Sequence, residues 1–271
     1  MATLSDEHPQ PRVAVITGGA GTIGAALCET LARQGVLVVM LDRDPNCLHM
    51  AYENHTERVG YPCMAIAADI STKRDAFAAI DQVIDAHGKV DILVNNAATK
   101  SSSLESFFVP DIDYEESTWS EVMATNLNGT FFMCQAAGRD MLERRNGTII
   151  NIASIYGVVG ADQRIYKGSQ YLGHTMSSPA VYAASKAGLL GLTRHLAAAW
   201  GPLGVRVNAV TPGGVEGEQD QKFIDNYSYR VPLGRMARVQ EVVSAISFLT
   251  SESASYVNGH NLVVDGGLTT W

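Results

Sequence analysis

Tyr182 and Lys186 stand four positions apart in PAVYAASKAGLLGLTRHLAAAW. The stretch is rich in Ala and Leu and reads as a long buried helix, so both side chains leave one face of it. A phenol beside an ammonium is an acid–base pair. With an ordinary pKa of about 10 a phenol is a poor base at neutral pH, and an adjacent cation favours the phenolate, lowering that value by roughly 1–3 units. No other tyrosine has Lys at the fourth following position; Tyr166 meets Gln170 there and Tyr171 meets Thr175. Alone, the pair is equally the mark of a tyrosine packed against a snorkelling lysine, so the elements around it decide.

Short β-branched runs alternate with segments of helical length, the pattern of βαβ units and a parallel sheet. Strands are expected at 12–17, 36–41, 63–68, 91–96, 147–153, 206–210 and 261–265, with helices at 23–34, 72–87, 119–142, 180–200 and 239–250 among others. The strands are apolar along their length, which implies burial on both faces. That points to a doubly wound, Rossmann-type α/β fold of about seven parallel strands with helices on each side, its ligand site at the strand carboxyl ends. A flexible tail over residues 1–11, acidic and broken by proline, is expected ahead of a single domain over 12–271.

TGGAGTIG, residues 17–24, follows the first strand and opens the first helix, the context that gives G-x-G-x-x-G over Gly19, Gly21 and Gly24 a mechanism. Glycines there permit a tight turn and let backbone N–H groups and the helix N-terminus approach a pyrophosphate. Asp42 closes the second strand in VVMLDRD, near the offset of the acid that binds adenosine ribose hydroxyls. A carboxylate there repels a 2′-phosphate, and the glycine turn holds neither Lys nor Arg, which favours NAD. Arg43 follows at once and can face a phosphate, keeping NADP as the alternative.

Composition narrows the partners. Twenty basic against twenty-eight acidic side chains give a formal net charge of −8 without a basic cluster, which argues against nucleic acid. The start does not read as a secretory signal and no apolar run approaches a membrane span, so a cytoplasmic protein is expected. Cys28, Cys47, Cys63 and Cys134 form no C-x-x-C pair and the histidines no H-x-x-x-H, so no metal is assigned.

Over residues 12–268 the chain resembles the short-chain dehydrogenase/reductase family in its shorter single-domain branch. The resemblance rests on TGGAGTIG, Asp69 in AADIS, NNAA at 95–98, Asn126 in MATNLNGTFF, Ser154 in NIASIYG, YAASK at 182–186, NAVTPGG at 208–214 and the ending NGHNLVVDGG. It implies four catalytic residues. Tyr182 would take the hydroxyl proton as hydride leaves for the nicotinamide, and Lys186 would hold the nicotinamide ribose and lower the tyrosine pKa. Ser154 would hydrogen-bond the substrate oxygen, and Asn126 would position a relay water. Cofactor contacts are implied from Gly18, Gly21, Thr22, Ile23, Gly24, Asp42, Arg43, Asp69, Ile70, Asn96, Ala97, Tyr182, Lys186, Pro212, Gly213 and Val215. A homo-oligomer, tetramer or dimer, is implied through the helices at 119–142 and 180–200. The chain departs from the family pattern in places: its glycines follow TGxxGxxG rather than TGxxxGxG, Ala98 replaces the glycine of NNAG, and Gly217 stands where a threonine often contacts the nicotinamide amide.

Ser154 and Tyr182 lie farther apart than is common in that family. The extra stretch, DQRIYKGSQYLGHTMSSP at 162–179, is expected at the mouth of the site, with Arg164, Tyr166, Lys167, Tyr171 and His174 joining Ser154 as substrate contacts. Residues 215–235 occupy the family's substrate-lid position and add Tyr227, Tyr229 and Arg230. So many hydrogen-bonding groups, cations among them, suit a polyhydroxylated small molecule, a sugar acid included. The expected function is an NAD-dependent oxidoreductase moving hydride between a nicotinamide and a secondary alcohol or ketone of a sugar, sugar acid or polyol. The alternatives are a 3-oxoacyl thioester reductase, which the polar insertion disfavours, and a non-catalytic NAD-binding regulator, which has no need of a base.

Overall fold

The computed structural model describes residues 10–271; of the tail expected at 1–11, residues 1–9 lie outside the described residues. The strands are β1 (Val13–Thr17), β2 (Leu37–Asp42), β3 (Cys63–Ala67), β4 (Ile92–Asn95), β5 (Gly147–Ile152), β6 (Gln170–Tyr171), β7 (His174–Thr175), β8 (Val205–Pro212) and β9 (Asn261–Val264). All except β6 and β7 join one parallel sheet in the order β3-β2-β1-β4-β5-β8-β9. The chain therefore runs outward from β1 in one direction and from β4 in the other, which opens a crevice over the carboxyl ends of these two neighbours.

Alternation along each strand feeds two cores. Val13, Val15, Val39, Leu41, Leu93 and Ile149 face one side. Ala14, Ile16, Val38, Met40, Ile92, Val94 and Ile150 face the other. Both sets are apolar because both faces are covered, as the unbroken hydrophobicity of the strands requires. Of the helices, α1 (Thr22–Arg33), α2 (Pro45–Val59), α3 (Lys73–His87), α4 (Leu104–Phe107), α5 (Glu116–Met123), α6 (Thr130–Arg144), α7 (Ala180–Trp200), α8 (Gln221–Arg230) and α9 (Val239–Thr250), α3 and α6 cover the first face. Helices α1 and α9 cover the second.

Local chemistry sets the helix ends. Asp44 caps α2 by accepting from the N–H groups of Asn46 and Cys47, Pro45 starts it, and Gly60 ends it in the left-handed conformation. The rod expected at 119–142 is interrupted by a π-helical segment, Ala124–Gly129, that joins α5 to α6. Among the described residues no helix is long and apolar enough to cross a membrane. The inserted stretch is not a bare loop: it forms a short 3-10 turn, Gln163–Tyr166, and the antiparallel hairpin β6–β7.

Candidate active site

After Thr17 the chain turns through Gly18, whose φ of +63° lies in the left-handed region. A Cβ on Gly24 would fall 2.1 Å from the Gly18 carbonyl oxygen, so α1 packs against this turn as closely as backbone permits. Gly21 is the N-cap residue of α1, no side chain caps that end, and its first turn holds no acid. The first N–H groups of α1 are thus left for an anionic ligand. Asn96 braces the turn, donating from Nδ2 to the carbonyls of Thr17 and Gly18 at 3.1 Å each. Thr17 Oγ1 accepts from the N–H groups of Asn96 and Ala97 at 3.0 Å each, tying the ends of β1 and β4 together.

Gly18, Gly21, Asp42, Arg43, Asp69, Ile70, Asn96 and Ala97 line one cleft over this crevice, and Thr22, Ile23 and Gly24 adjoin it as the first turn of α1. Ala98, noted as a departure from the family pattern, lines it too, and Leu41, Ala68, Thr99 and Thr125, which sequence reading did not single out, complete the lining. The Asp42 carboxylate also accepts from the Ala20 N–H at 3.1 Å, so it supports the turn as well as facing the cleft. A dinucleotide fits these features: uncapped helix N–H groups, a carboxylate at the end of β2, and the buried Thr99 hydroxyl, which has no protein partner. Pro212 and Val215 line neither this cleft nor the neighbouring pocket, contrary to expectation. Pro212 is the last paired residue of β8, and Val215 packs into the core and bridges Ala237.

Beside the cleft lies a second pocket, lined by Ser154 and Tyr182 together. Ser154 follows β5, and its Oγ accepts from the Tyr156 N–H at 3.3 Å, which leaves the hydroxyl proton available to a ligand. Burial pushes the Tyr182 phenol above its ordinary pKa, with Ser154 opposing the shift. This reverses the expectation that Lys186 lowers it. The lysine amine instead donates to the Ile152 carbonyl at 2.7 Å and sits 5.7 Å from the tyrosine ring centre, so the cost of burying the phenolate prevails. Asn126 is fully buried in the π-helical segment: Oδ1 accepts from the Thr99 N–H at 2.8 Å and Nδ2 donates to Ser185 Oγ at 3.4 Å. Its amide is committed to the protein and lines neither pocket, so the water-positioning role expected of it does not suit this side chain.

Lys186 is 3 % exposed, and burial pushes its pKa down from 10.5 to about 8. Between those values the unfolded chain binds a proton that the folded protein does not. Stability should therefore rise with pH across this window, by up to roughly 3 kcal/mol. Urea denaturation of the ligand-free protein at both ends of the window should show the rise, and Lys186→Met should remove it. An unchanged rise in the variant would assign it to other groups.

The pocket's far walls come from the insertion and α8. Tyr156, Tyr166, Phe223 and Tyr227 stack in sequence with ring centroids 6.5, 5.5 and 5.7 Å apart, and the Tyr166 hydroxyl bonds that of Tyr156 at 2.6 Å. Asp220, which caps α8, also accepts from the Gln170 N–H, and Asn226 Nδ2 donates to the Ile165 carbonyl at 3.0 Å. The insertion is therefore fastened to α8 as a wall. It brings Tyr166 and Tyr171 into the pocket but not Arg164, Lys167 or His174. The Arg164 guanidinium is captured by Asp162 at 2.8 and 2.9 Å and points to solvent, Lys167 is exposed, and His174 lies on β7, half-buried and outside the pocket lining. Tyr229 is exposed, and Arg230 also pairs with Asp162. The cation that does line the pocket is Lys100, unmarked in the sequence reading although it lies just after NNAA; Phe107, Phe108, Met176 and Gln219 were missed as well.

Comparison with known proteins agrees with this geometry. A model of the short-chain dehydrogenase type, described as Enoyl-(Acyl carrier protein) reductase, matches residues 18–269. The chain belongs to the short-chain dehydrogenase/reductase family. It is 34% identical over 264 residues to the D-threitol dehydrogenase of Mycolicibacterium smegmatis, covering 95% of this chain and 93% of that protein. It is 30% identical over 263 residues to the NAD-dependent glycerol dehydrogenase of Listeria innocua, covering 95% and 94%. The crystal structure of a gluconate 5-dehydrogenase from Burkholderia cenocepacia, in complex with NADP and tartrate, superposes with a TM-score of 0.82 at 33% identity over 96% of both chains. As a short-chain dehydrogenase/reductase the protein is an oxidoreductase. Its departures from the family pattern find local explanations. Thr22 is exposed at the start of α1, where nothing demands glycine, and the Gly217 N–H donates to Gln219 Oε1 at 2.8 Å, so Gln219 holds the loop after β8.

Proposed function

We propose that this short-chain dehydrogenase/reductase transfers hydride between NAD and a secondary alcohol or ketone of a polyol, sugar or sugar acid. One observation carries the reading: Tyr182 and Ser154 line a single pocket, next to a cleft whose glycine turn and Asp42 suit a dinucleotide. The names of the relatives, dehydrogenases of threitol, glycerol and gluconate, support the substrate class.

The first-turn N–H groups of α1 would hold the pyrophosphate and Asp42 the adenosine ribose hydroxyls. When bound, the nicotinamide supplies the hydride acceptor or donor. Ser154 donates a hydrogen bond to the substrate oxygen and fixes it beside Tyr182. With its pKa raised, Tyr182 is protonated at neutral pH and donates that proton to the substrate oxygen during reduction; for oxidation it must first release the proton to solvent, and the phenolate then takes the proton of the alcohol. Lys186 keeps an amine beside the phenol, and Asn126 is a positioning residue that fixes Thr99 at the cleft and Ser185 on α7. We also read residues 12–271 as one cytoplasmic domain that assembles as a dimer or tetramer. Exposed Trp119 and Phe131, on α5 and α6, support that assembly.

An absorbance screen with NAD and NADP against polyols, sugars, sugar acids and 3-hydroxyacyl thioesters tests the reading. Turnover with NAD on a polyol or sugar acid is expected. Turnover confined to thioesters would overturn the substrate class, and silence across the panel would overturn the activity. Asp42→Ser removes the charge that repels a 2′-phosphate and should shift the ratio of kcat/KM from NAD toward NADP by at least about tenfold. An unmoved ratio would mean that Asp42 serves the turn alone.

A further inference from the structure

We infer that Lys100 makes this enzyme selective for a carboxylate-bearing substrate: its ammonium, held over the Tyr171 ring, binds the acid group of a hydroxy or keto acid whose reacting carbon lies at Ser154 and Tyr182. The inference rests on the oxidoreductase reading above and narrows its substrate class.

Lys100 lies in the loop that follows β4, and its Nζ sits 3.8 Å from the Tyr171 ring centroid. Among the described residues it is the one lining the pocket that carries a charge at neutral pH, and no Asp or Glu lines it. The ring face attracts the ammonium yet accepts no conventional hydrogen bond, so N–H donors remain for a ligand. Among the described residues no ion pair neutralises it; Glu218 is near enough to be felt but does not reach it, and partial desolvation pushes the lysine pKa down. Lys100 is exposed as a residue, so solvent and ligand both reach it, and its unpaired ammonium gains from an arriving anion because charge-assisted hydrogen bonds are about twice as strong as neutral ones.

The inserted stretch now has a purpose in substrate recognition. Tyr171 closes β6, that hairpin is fastened to α8 through Asp220, and Asn226 of α8 holds the 3-10 turn that precedes it. A long flexible lysine would lose side-chain entropy on gripping a ligand, and the fixed ring reduces that loss by holding the ammonium beforehand. A single ammonium matches a monoanion. The remaining walls, Phe107, Phe108, Tyr156, Tyr166 and Phe223 among them, bring no second cation for a phosphate dianion, and their faces suit the C–H side of a compact carbon chain.

The test pairs aldonates with the alditols that differ only in carrying CH2OH for the carboxylate, assayed with NAD on the wild type, Lys100→Met, Lys100→Arg and Tyr171→Leu. The wild type should favour the acid. Lys100→Met should lower the aldonate-to-alditol ratio of kcat/KM roughly 10- to 100-fold, chiefly through the KM of the acid. Lys100→Arg should keep the preference and Tyr171→Leu should reduce it in part. An unchanged ratio in Lys100→Met overturns the inference. Binding of gluconate, a monoanion, measured by calorimetry without cofactor, gives a readout that needs no turnover. It should weaken at least about tenfold in Lys100→Met, and equal binding, or none by the wild type, also overturns the inference. Failure of the wider reading is distinct: neither aldonates nor alditols would turn over in the wild type, whatever the calorimetry shows.

Discussion

Tyr182→Phe is expected to lower kcat by roughly 10²- to 10⁴-fold, the range in which a positioned acid–base group contributes. Burst-free absorbance assays would measure it, beside a fluorescence titration with NADH. Cofactor binding should survive, because the dinucleotide cleft is lined by other residues, and the fold should survive, because phenylalanine keeps the ring among Phe107, Val122 and Val181. The hydroxyl is removed without disturbing the Lys186 bond to the Ile152 carbonyl. Since Tyr182 is already protonated in the empty site, the loss should extend to ketone reduction as well as alcohol oxidation. A variant that retained wild-type kcat would transfer the proton role elsewhere in the pocket, with Tyr156 the first residue to examine.

What could be read from the sequence divides along a physical line. Strand positions were legible because doubly buried strands are apolar at every position, and Val13 to Ile16 feed both cores in turn. The glycine turn and the Tyr182–Lys186 pair were legible because their spacing alone fixes which groups share a face or a turn. The directions of long side chains were not. Arg164 and Lys167 sit in the inserted stretch as expected, yet Asp162 caps the short turn there and draws the arginine outward. Conversely, Lys100 and Tyr171 meet only after the hairpin is docked on α8. The sign of the Tyr182 pKa was hidden too. An adjacent cation and burial push a phenol in opposite directions, and which prevails depends on where the Lys186 amine finds its partner. Asn126 shows the same limit, since an amide free to hold water and one committed to Thr99 and Ser185 read alike in MATNLNG.

Gly24→Ala should be the second severe variant, and comparison with Gly21→Ala isolates its cause. The Gly24 Cβ would lie 2.1 Å from the Gly18 oxygen and 2.9 Å from its carbonyl carbon. Both obstacles are backbone, so no rotamer relieves them, and either α1 must retreat or the turn must open. Overpacking of this kind costs about 1–3 kcal/mol, which for a chain of this size means a Tm lower by roughly 2–12 °C. Opening the turn also withdraws the N–H groups meant for the pyrophosphate, so NADH affinity should fall by more than about tenfold. The Gly21 Cβ would meet the same oxygen at 3.4 Å, an ordinary contact, with φ at −75°. Gly21→Ala should therefore leave Tm near the wild type while weakening NADH, because its methyl group enters the dinucleotide cleft without disturbing the turn. Differential scanning calorimetry and NADH titration on the two variants separate helix packing from ligand approach. If Gly24→Ala matched the wild type in both, the close seating of α1 on the turn would not be what shapes this cofactor site.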